Sequence, residues 1–283
     1  TIRRKSVGFS ISNFDRMSET IPIKIGPWLT RFQLGASLLT LLSLLMFDPS
    51  PFIQSLGLIF ASSMCVAALA TPLAIRISFL LGAVDVPGGR RIHTTTTPRL
   101  GGIAIATGVI VALLMTSLNY MPNLRALLMS SFLVLLVGVL DDVRHVKASV
   151  KLLFQVVACA FLIMDGVHVL FFPDTWWGLV GQWVVTTLWI VGITNAVNFL
   201  DGMDGLVSGL AMGTSAIYFV LALLLGSSML AYCSLAIFCA SFAFLGYNIK
   251  PARIFLGDGG STFLGFFLAT LSVQASWARD APL

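Results

Sequence analysis

Charged residues are scarce in this chain: Asp, Glu, Lys and Arg make up 10% of its 283 residues, and only three residues are His. Apolar residues account for 57% of the sequence, and the mean hydropathy is +0.95. A soluble domain of this length is excluded by such a composition. The apolar runs are continuous rather than alternating, which excludes a transmembrane β-barrel. The composition therefore predicts an all-α, polytopic bundle of transmembrane helices.

The motifs of several common site classes are also missing. All four cysteines lie inside apolar runs without metal-ligand spacing, which disfavours a disulfide or a zinc site. Neither a Walker A pattern nor a GxGxxG fingerprint occurs. No arrangement of serine and His in the predicted inner loops indicates a nucleophile and its base.

Nine apolar stretches predict membrane-spanning helices. They cover approximately residues 30–47, 52–81, 100–118, 126–140, 150–164, 178–195, 205–225, 229–247 and 262–277. We expect residues 30–277 to form a single transmembrane domain. A polar segment, residues 1–29, precedes it, and a short tail, residues 278–283, follows it.

Basic residues fall almost entirely on one side of these predicted spans. Of the 17 Lys and Arg residues, only Arg125 and Arg279 lie away from the side that carries the N-terminus. The positive-inside rule therefore predicts a cytoplasmic N-terminus. The net charge of +5 is explained by topology and requires no nucleic-acid partner. The inner loops are then approximately residues 82–99, 141–149, 196–204 and 248–261.

The first inner loop carries a cationic patch. The patch follows the turn sequence Pro87-Gly88-Gly89 and consists of Arg90, Arg91, His93 and Arg99. Guanidinium groups suit bidentate recognition of phosphate. The alternative is a loop whose positive charge only anchors the topology.

The second inner loop begins with two adjacent acids, Asp141 and Asp142. Neighbouring carboxylates repel each other and favour a bound cation. Mg²⁺ is a suitable cation because it takes one or two carboxylates together with phosphate oxygens. The alternative is an acidic pair that merely ends a helix, although acids at a helix C-terminus oppose its dipole. Lys151 would bind phosphate or act as an anchor at the inner face.

The third inner loop contains Asn195, Asn198, Asp201 and Asp204, spaced three residues apart. On a helix this spacing would place them along one side, and the glycine after each aspartate indicates that the segment is partly unwound. An Asp at the bilayer centre costs roughly 2.5–3.5 kcal/mol. We therefore expect these residues to lie at the water boundary and to serve a function.

The fourth inner loop contains Asp258 within the sequence GDGGS. Its glycines could present N–H groups to an anion at the start of the ninth helix. Alternatively, Asp258 is an exposed turn residue or a helix cap. Carboxylates, amides, glycines and guanidinium groups together suit metal-assisted handling of a phosphorylated substrate. A transporter with an acidic ion site is the competing interpretation, but its acids should lie near mid-span.

Together the four loops resemble the polyprenyl-phosphate N-acetylhexosamine-1-phosphate transferases of glycosyltransferase family 4. This family includes enzymes that start O-antigen, common-antigen and teichoic-acid linkage synthesis, and it is related to the phospho-N-acetylmuramoyl-pentapeptide transferase. The resemblance covers about residues 35–277. It depends on the motifs NAVNFLDGMDGL and FLGDGGS, with DVPGGRRIHTTTTPRLGGIAI closer to the hexosamine branch.

The resemblance implies transfer of N-acetylhexosamine 1-phosphate from a UDP-sugar to polyprenyl phosphate, with release of UMP. UDP-N-acetylglucosamine is the favoured donor, Mg²⁺ the expected cofactor with Mn²⁺ as a substitute, and the bacterial inner membrane the expected location. Asp141 and Asp142 would be the acidic pair of the reaction centre, one taking a proton from the lipid phosphate and Asp142 helping to hold the metal. Asp258 would be the main metal ligand. The other implied residues are Asn195, Asn198, Asp201 and Asp204 for nucleotide and metal, with Asn198 as a further ligand, and Lys151, Arg90, Arg91 and His93 for phosphate or nucleotide.

Two departures from the family pattern concern the later part of the sequence and the acidic pair. His145 stands where many relatives have a further Asp. Relatives also carry a His-rich motif in a later cytoplasmic loop, followed by more spans, and nothing corresponds to it before Leu283. From the sequence alone we expect a fragment of a longer enzyme or a truncated, catalytically impaired member.

Overall fold

The computed structural model describes residues 27–46, 50–86, 96–116, 121 and 123–277. Within these ranges the chain forms nine helices and one pair of two-residue strands. The helices are α1 (Pro27–Met46), α2 (Pro51–Leu81), α3 (Gly101–Met115), α4 (Leu124–Arg144), α5 (Ala148–Met164), α6 (Trp176–Leu200), α7 (Leu206–Leu225), α8 (Ser228–Asn248) and α9 (Gly257–Trp277). The antiparallel strands, β1 (Val84–Asp85) and β2 (Thr97–Pro98), lie between α2 and α3.

The predominantly helical architecture is confirmed, and each predicted apolar stretch overlaps one helix. In the described residues, α2, α4, α6, α7 and α8 are long and apolar enough to cross a membrane, while α3 and α5 are shorter apolar helices. The strand pair is a small departure from the predicted all-α class. All four cysteines are free.

Three of the predicted inner loops are shorter than expected, because the helices beside them are longer. Helix α4 continues to Arg144, α6 continues to Leu200, and α9 already begins at Gly257. The acidic pair, the two asparagines and the GDGGS segment are therefore helical instead of lying in loops. Helix α4 ends where His145 adopts a positive φ of 53°. Polar residues can extend a helix in this way when neighbouring elements satisfy its terminal groups.

Helix α9 occupies a central position in the bundle, where it packs against α4, α6 and α3. Its aromatic residues Phe263, Phe266 and Phe267 are fully buried. Many leucines on α2 and α6 face outward, as expected for helices that contact lipid. Because α9 is buried and central, its first turn lies among several neighbouring helices.

Glycines allow α3, α4 and α9 to approach each other at backbone distance. A Cβ atom built on Gly102 would lie 2.1 Å from the Cα of Gly260, and one built on Gly138 would lie 2.5 Å from the Cα of Gly259. Only hydrogen side chains permit these crossings. The Gly101-Gly102 and Gly259-Gly260 pairs are thus packing residues, and they bring the inner ends of three helices together.

The segment before α9 pairs with the start of α3. Phe255 donates its N–H to the carbonyl of Pro98 at 2.8 Å, and Gly101 donates to the carbonyl of Phe255 at 3.0 Å. A third bond, 2.8 Å long, runs from the N–H of Gly102 to the carbonyl of Leu256. These bonds hold the stem of the first predicted loop against the N-terminus of α9.

Candidate active site

Four carboxylates from separate parts of the chain meet at one end of the bundle. Asp141 and Asp142 lie in the last turn of α4, Asp258 lies in the first turn of α9, and Asp201 follows the end of α6. The carboxylates of Asp141 and Asp258 share the ammonium of Lys151 as a hydrogen-bond donor, and the charges of Asp142 and Asp258 act on the carboxylate of Asp201. The structure therefore brings together acids that the sequence placed in three predicted loops.

Lys151 connects two of these acids. Its Nζ donates to Oδ2 of Asp141 at 2.7 Å and to Oδ2 of Asp258 at 3.0 Å. The remaining oxygen of Asp141 accepts the N–H of Val146, just beyond α4. Lys151 is only 19% exposed, so its charge acts mainly on its carboxylate partners. One ammonium thus neutralises part of a site that would otherwise be strongly anionic.

Asp142 has different partners from its neighbour Asp141. Its Oδ1 accepts the N–H of Asp258, and its Oδ2 accepts the N–H of Gly259, both at 3.0 Å. The sequence had suggested that N–H groups at the start of this helix could be presented to an anion. In the structure the N–H groups of Asp258 and Gly259 donate to the carboxylate of Asp142. Its role as a metal ligand stays a prediction of the family resemblance.

The close approach of Asp142 to α9 depends on Gly257. This residue has a φ of +75°, and a Cβ atom there would lie 1.9 Å from the carbonyl oxygen of Arg99 and 2.7 Å from Oδ2 of Asp142. The Nε atom of Arg99 lies 3.8 Å from Oδ1 of Asp142. Glycine at position 257 therefore lets the α3 stem, α4 and α9 meet.

The two asparagines of the third predicted loop lie on α6 and face different neighbours. Asn198 accepts the hydroxyl of Ser261 at 2.7 Å, so it faces the first turns of α9. Asn195 donates to Oε1 of Gln155 on α5 at 2.7 Å and to the carbonyl of Val191 at 2.8 Å. The predicted unwinding begins only after Leu200. Asn198 thus belongs to the acidic site, whereas Asn195 joins α6 to α5.

Asp201 and Asp204 occupy the turn after α6 and have different surroundings. Asp204 is exposed and accepts the N–H of Ala252 at 3.1 Å. Asp201 receives no hydrogen bond from any residue that the structure describes. Burial, followed by the charges of Asp258 and Asp142, raises the pKa of Asp201 to about 7, and Arg99 opposes this rise. An acid in that position favours a proton or a metal cation.

Asn248, the last residue of α8, is a site residue that the sequence did not reveal. Its Oδ1 accepts the N–H of Gly205 at 3.1 Å and the hydroxyl of Ser208 at 2.8 Å. Its Nδ2 donates to the carbonyl of Ile254 at 2.9 Å. Asn248 is 5% exposed and ties the turn after α6 to the segment before α9. A polar residue closing an apolar helix was the available signal.

The predicted phosphate-binding residues Arg90, Arg91 and His93 lie outside the described residues. Among described cations, Lys151 and Arg99 have ion-pair contacts with the acidic cluster.

The donor chemistry of the cluster fits Mg²⁺ better than a softer metal. No group of three or more His, Cys, Asp or Glu side chains in the described ranges is arranged around a common metal position. The available donors are the oxygens of Asp258, Asp201 and Asn198, and burial is the main reason that the pKa of Asp201 is raised. Oxygen donors with few carboxylates match the preference of Mg²⁺, which completes its shell with water and phosphate.

Comparison with known proteins gives one matching family model. The model described as glycosyl transferase family 4 matches residues 124–276. This stretch begins with α4 and includes the acidic pair, Lys151, the turn after α6 and the start of α9.

Curated relatives extend the similarity over most of the chain. It is 36% identical over 219 residues to a probable undecaprenyl-phosphate N-acetylglucosaminyl 1-phosphate transferase of Bacillus subtilis, covering 76% of this chain and 61% of the relative. It is 30% identical over 247 residues to the decaprenyl-phosphate N-acetylglucosaminephosphotransferase of Mycobacterium tuberculosis strain H37Rv, covering 79% and 61%. A phospho-N-acetylmuramoyl-pentapeptide-transferase of Staphylococcus carnosus is 30% identical over 203 residues, with 64% and 63% covered. The chain therefore spans less than two thirds of the length of each of these relatives.

Proposed function

The chain belongs to glycosyl transferase family 4, and from this membership we propose that it transfers N-acetylhexosamine 1-phosphate from a UDP-sugar to polyprenyl phosphate, releasing UMP. N-acetylglucosamine 1-phosphate is the proposed group, because the relatives from B. subtilis and M. tuberculosis carry that sugar in their names. The observation that supports the proposal most is the meeting of Asp141, Asp201, Asp258 and Lys151 at one end of an apolar bundle.

In the proposed reaction, an oxygen of the lipid phosphate attacks the β-phosphorus of the UDP-sugar. A new phosphorus–oxygen bond forms, and the bond from the β-phosphorus to the bridging oxygen breaks. The electron pair leaves with that oxygen on UMP. Negative charge gathers among groups that are already anionic, so positioning and electrostatic stabilisation supply most of the catalysis.

The oxygens of Asp258, Asp201 and Asn198 are the proposed ligands of Mg²⁺, with Mn²⁺ as a substitute. Bound Mg²⁺ would neutralise charge on the diphosphate and on the leaving UMP. Asp201 is included because its carboxylate has no hydrogen-bond donor in the described chain and a raised pKa. The carboxylate of Asp142 already accepts two N–H groups, which favours Asp201 over Asp142 as the second acidic ligand.

Lys151 and Asp141 are proposed to receive the lipid phosphate. The ammonium of Lys151 is fixed by two carboxylates and carries the charge that an incoming phosphate needs. A phosphate monoester has a second pKa near 6, so it is largely dianionic at neutral pH. Asp141 therefore removes a proton only from the minor monoanionic fraction, and its main task is to hold Lys151.

We also propose nine membrane crossings, a cytoplasmic N-terminus and a site on the cytoplasmic face of the bacterial inner membrane. The one-sided distribution of Lys and Arg supports this orientation. A site at the membrane surface lets a water-soluble nucleotide meet a lipid whose tail stays in the hydrocarbon.

Release of UMP from UDP-N-acetylglucosamine by the purified protein, with Mg²⁺ and polyprenyl phosphate, tests this function. Asp258→Asn should lower the rate at least about 100-fold, because the proposed Mg²⁺, which would stabilise negative charge in the transition state, loses a ligand. Asp174→Asn is the matched control, since Asp174 is an exposed acid in the connection before α6. Full activity of Asp258→Asn would contradict the assignment. If the wild-type protein releases no UMP but carries an acid-dependent ion flux in vesicles, a transporter is favoured. If it shows neither UMP release nor ion flux, an impaired family member is favoured.

A further inference from the structure

Asp142 has the geometry of a helix cap supplied by a different helix. The first-turn N–H groups of a helix have no acceptor within that helix. Asp142, on α4, accepts two of those of α9, one on each carboxylate oxygen, at equal distances of 3.0 Å. The negative charge also lies at the positive end of the α9 dipole, where it is favourable.

Burial separates Asp142 from the other acids. Its side chain is 1% exposed, compared with 11% for Asp141 and 27% for Asp258. A group that binds a soluble nucleotide or its metal needs access, which Asp258 has and Asp142 lacks. A carboxylate buried to this extent requires compensation, and the two N–H groups, the α9 dipole and Arg99 at 3.8 Å offset part of the cost.

One of the two N–H groups belongs to Asp258 itself. The bond from the N–H of Asp258 to Asp142 therefore fixes the backbone from which the Asp258 carboxylate projects. The same turn is held from the side by the crossing of Gly138 and Gly259, where the backbones touch. The contact of Lys151 with both Asp141 and Asp258 requires this register between α4 and α9.

We infer that Asp142 is a positioning residue that caps α9 and sets the location of Asp258, and that it is neither a metal ligand nor the base. The assignment of Asp142 as a cap of α9 depends only on its observed contacts. Its importance for turnover rests on the proposed function. Adjacent acids on α4 then have separate tasks: Asp141 contacts the reacting groups through Lys151, and Asp142 acts through the backbone of α9.

Hydrogen exchange resolved to single amides tests the cap without substrate or metal. In the wild-type protein, the amides of Asp258 and Gly259 should be protected, although no acceptor within α9 exists for them. In Asp142→Asn, an amide NH₂ replaces one acceptor oxygen and meets an N–H donor. Exchange at these two positions should therefore rise at least tenfold, while Asp258→Asn and the control Asp174→Asn leave it unchanged. Unprotected amides in the wild type would overturn the cap even if Asp142→Asn fails to fold, and so would unaltered exchange in a folded Asp142→Asn.

Binding of Mn²⁺, followed by its electron paramagnetic resonance signal, separates a positioning residue from a metal ligand. We expect Asp142→Asn to bind Mn²⁺ within threefold of the wild type, and Asp258→Asn to lose at least tenfold in affinity. UMP release by Asp142→Asn at saturating metal should still fall at least tenfold, with most of the loss in kcat. The inference would be overturned if Asp142→Asn lost as much Mn²⁺ affinity as Asp258→Asn. It would also be overturned if Asp142→Asn kept full activity while its amide hydrogen exchange increased. An inactive wild type with protected amides would refute the proposed function and leave the cap intact.

Discussion

Replacement of Lys151 by Met is the sharpest test of how the negative charge of the acidic site is compensated. Its Nζ lies 2.7 Å from Oδ2 of Asp141 and 3.0 Å from Oδ2 of Asp258. At an effective dielectric constant near 20, each ammonium–carboxylate contact amounts to about 6 kcal/mol before desolvation is subtracted. Removing one partner of a partly buried ion pair costs on the order of 3 kcal/mol.

This cost should appear directly in thermal unfolding of the detergent-solubilised protein without divalent metal. A loss of about 3 kcal/mol corresponds to a midpoint lower by roughly 5–10 °C for a chain of this size. Mg²⁺ should raise the midpoint of Lys151→Met more than that of the wild type, because a divalent cation can replace the missing charge between the acids. UMP release should fall at least about 100-fold, since the lipid phosphate loses its cation.

Lys147→Met is the matched control, because Lys147 is an exposed cation just before α5. It should change neither the midpoint nor the response to Mg²⁺. An unfolding midpoint of Lys151→Met within about 2 °C of the wild type, by the same conversion from free energy to midpoint, together with an equal response to Mg²⁺, would show that Lys151 does not compensate the charge of these acids.

Three further predictions concern the turn after α6, the glycine crossings and the α8 end. Because the pKa of Asp201 is raised to about 7 in the folded protein, its ionisation destabilises the fold as the pH rises from about 4 through 7. Without metal, Asp201→Asn should therefore unfold at a higher temperature than the wild type at pH 8, and at an equal temperature near pH 4. Gly102→Ala, whose Cβ would lie 2.1 Å from the Cα of Gly260, should lower the unfolding midpoint, whereas Gly209→Ala, with no atom within 4 Å, should not; equal midpoints would contradict the close crossing. Asn248→Ala removes three buried hydrogen bonds and should cost on the order of 2–4 kcal/mol in denaturant unfolding, and a loss below about 0.5 kcal/mol would show that these bonds are not maintained.

The family and the helical class could be predicted from the sequence because both depend on local features. Long apolar runs predict helices through hydropathy alone, and the polar motifs interrupt them at recognisable places. The lengths of the inner loops were overestimated from the sequence for a physical reason. A polar sequence at a helix end can be helical or extended, and the choice depends on partners from other elements, such as Asp142 for GDGGS and Asn248 for the turn after α6.

Composition and motifs suffice to predict an apolar helical bundle whose acids, amides and glycines are gathered in a few short segments. The contacts of each of those residues depend on how the helices pack. Successive residues on a helix point about 100° apart, so Asp141 faces Lys151 while Asp142 faces the backbone of α9. That division depends on the rotation and register of α4 against α9, which the glycine crossing sets and which no local pattern encodes.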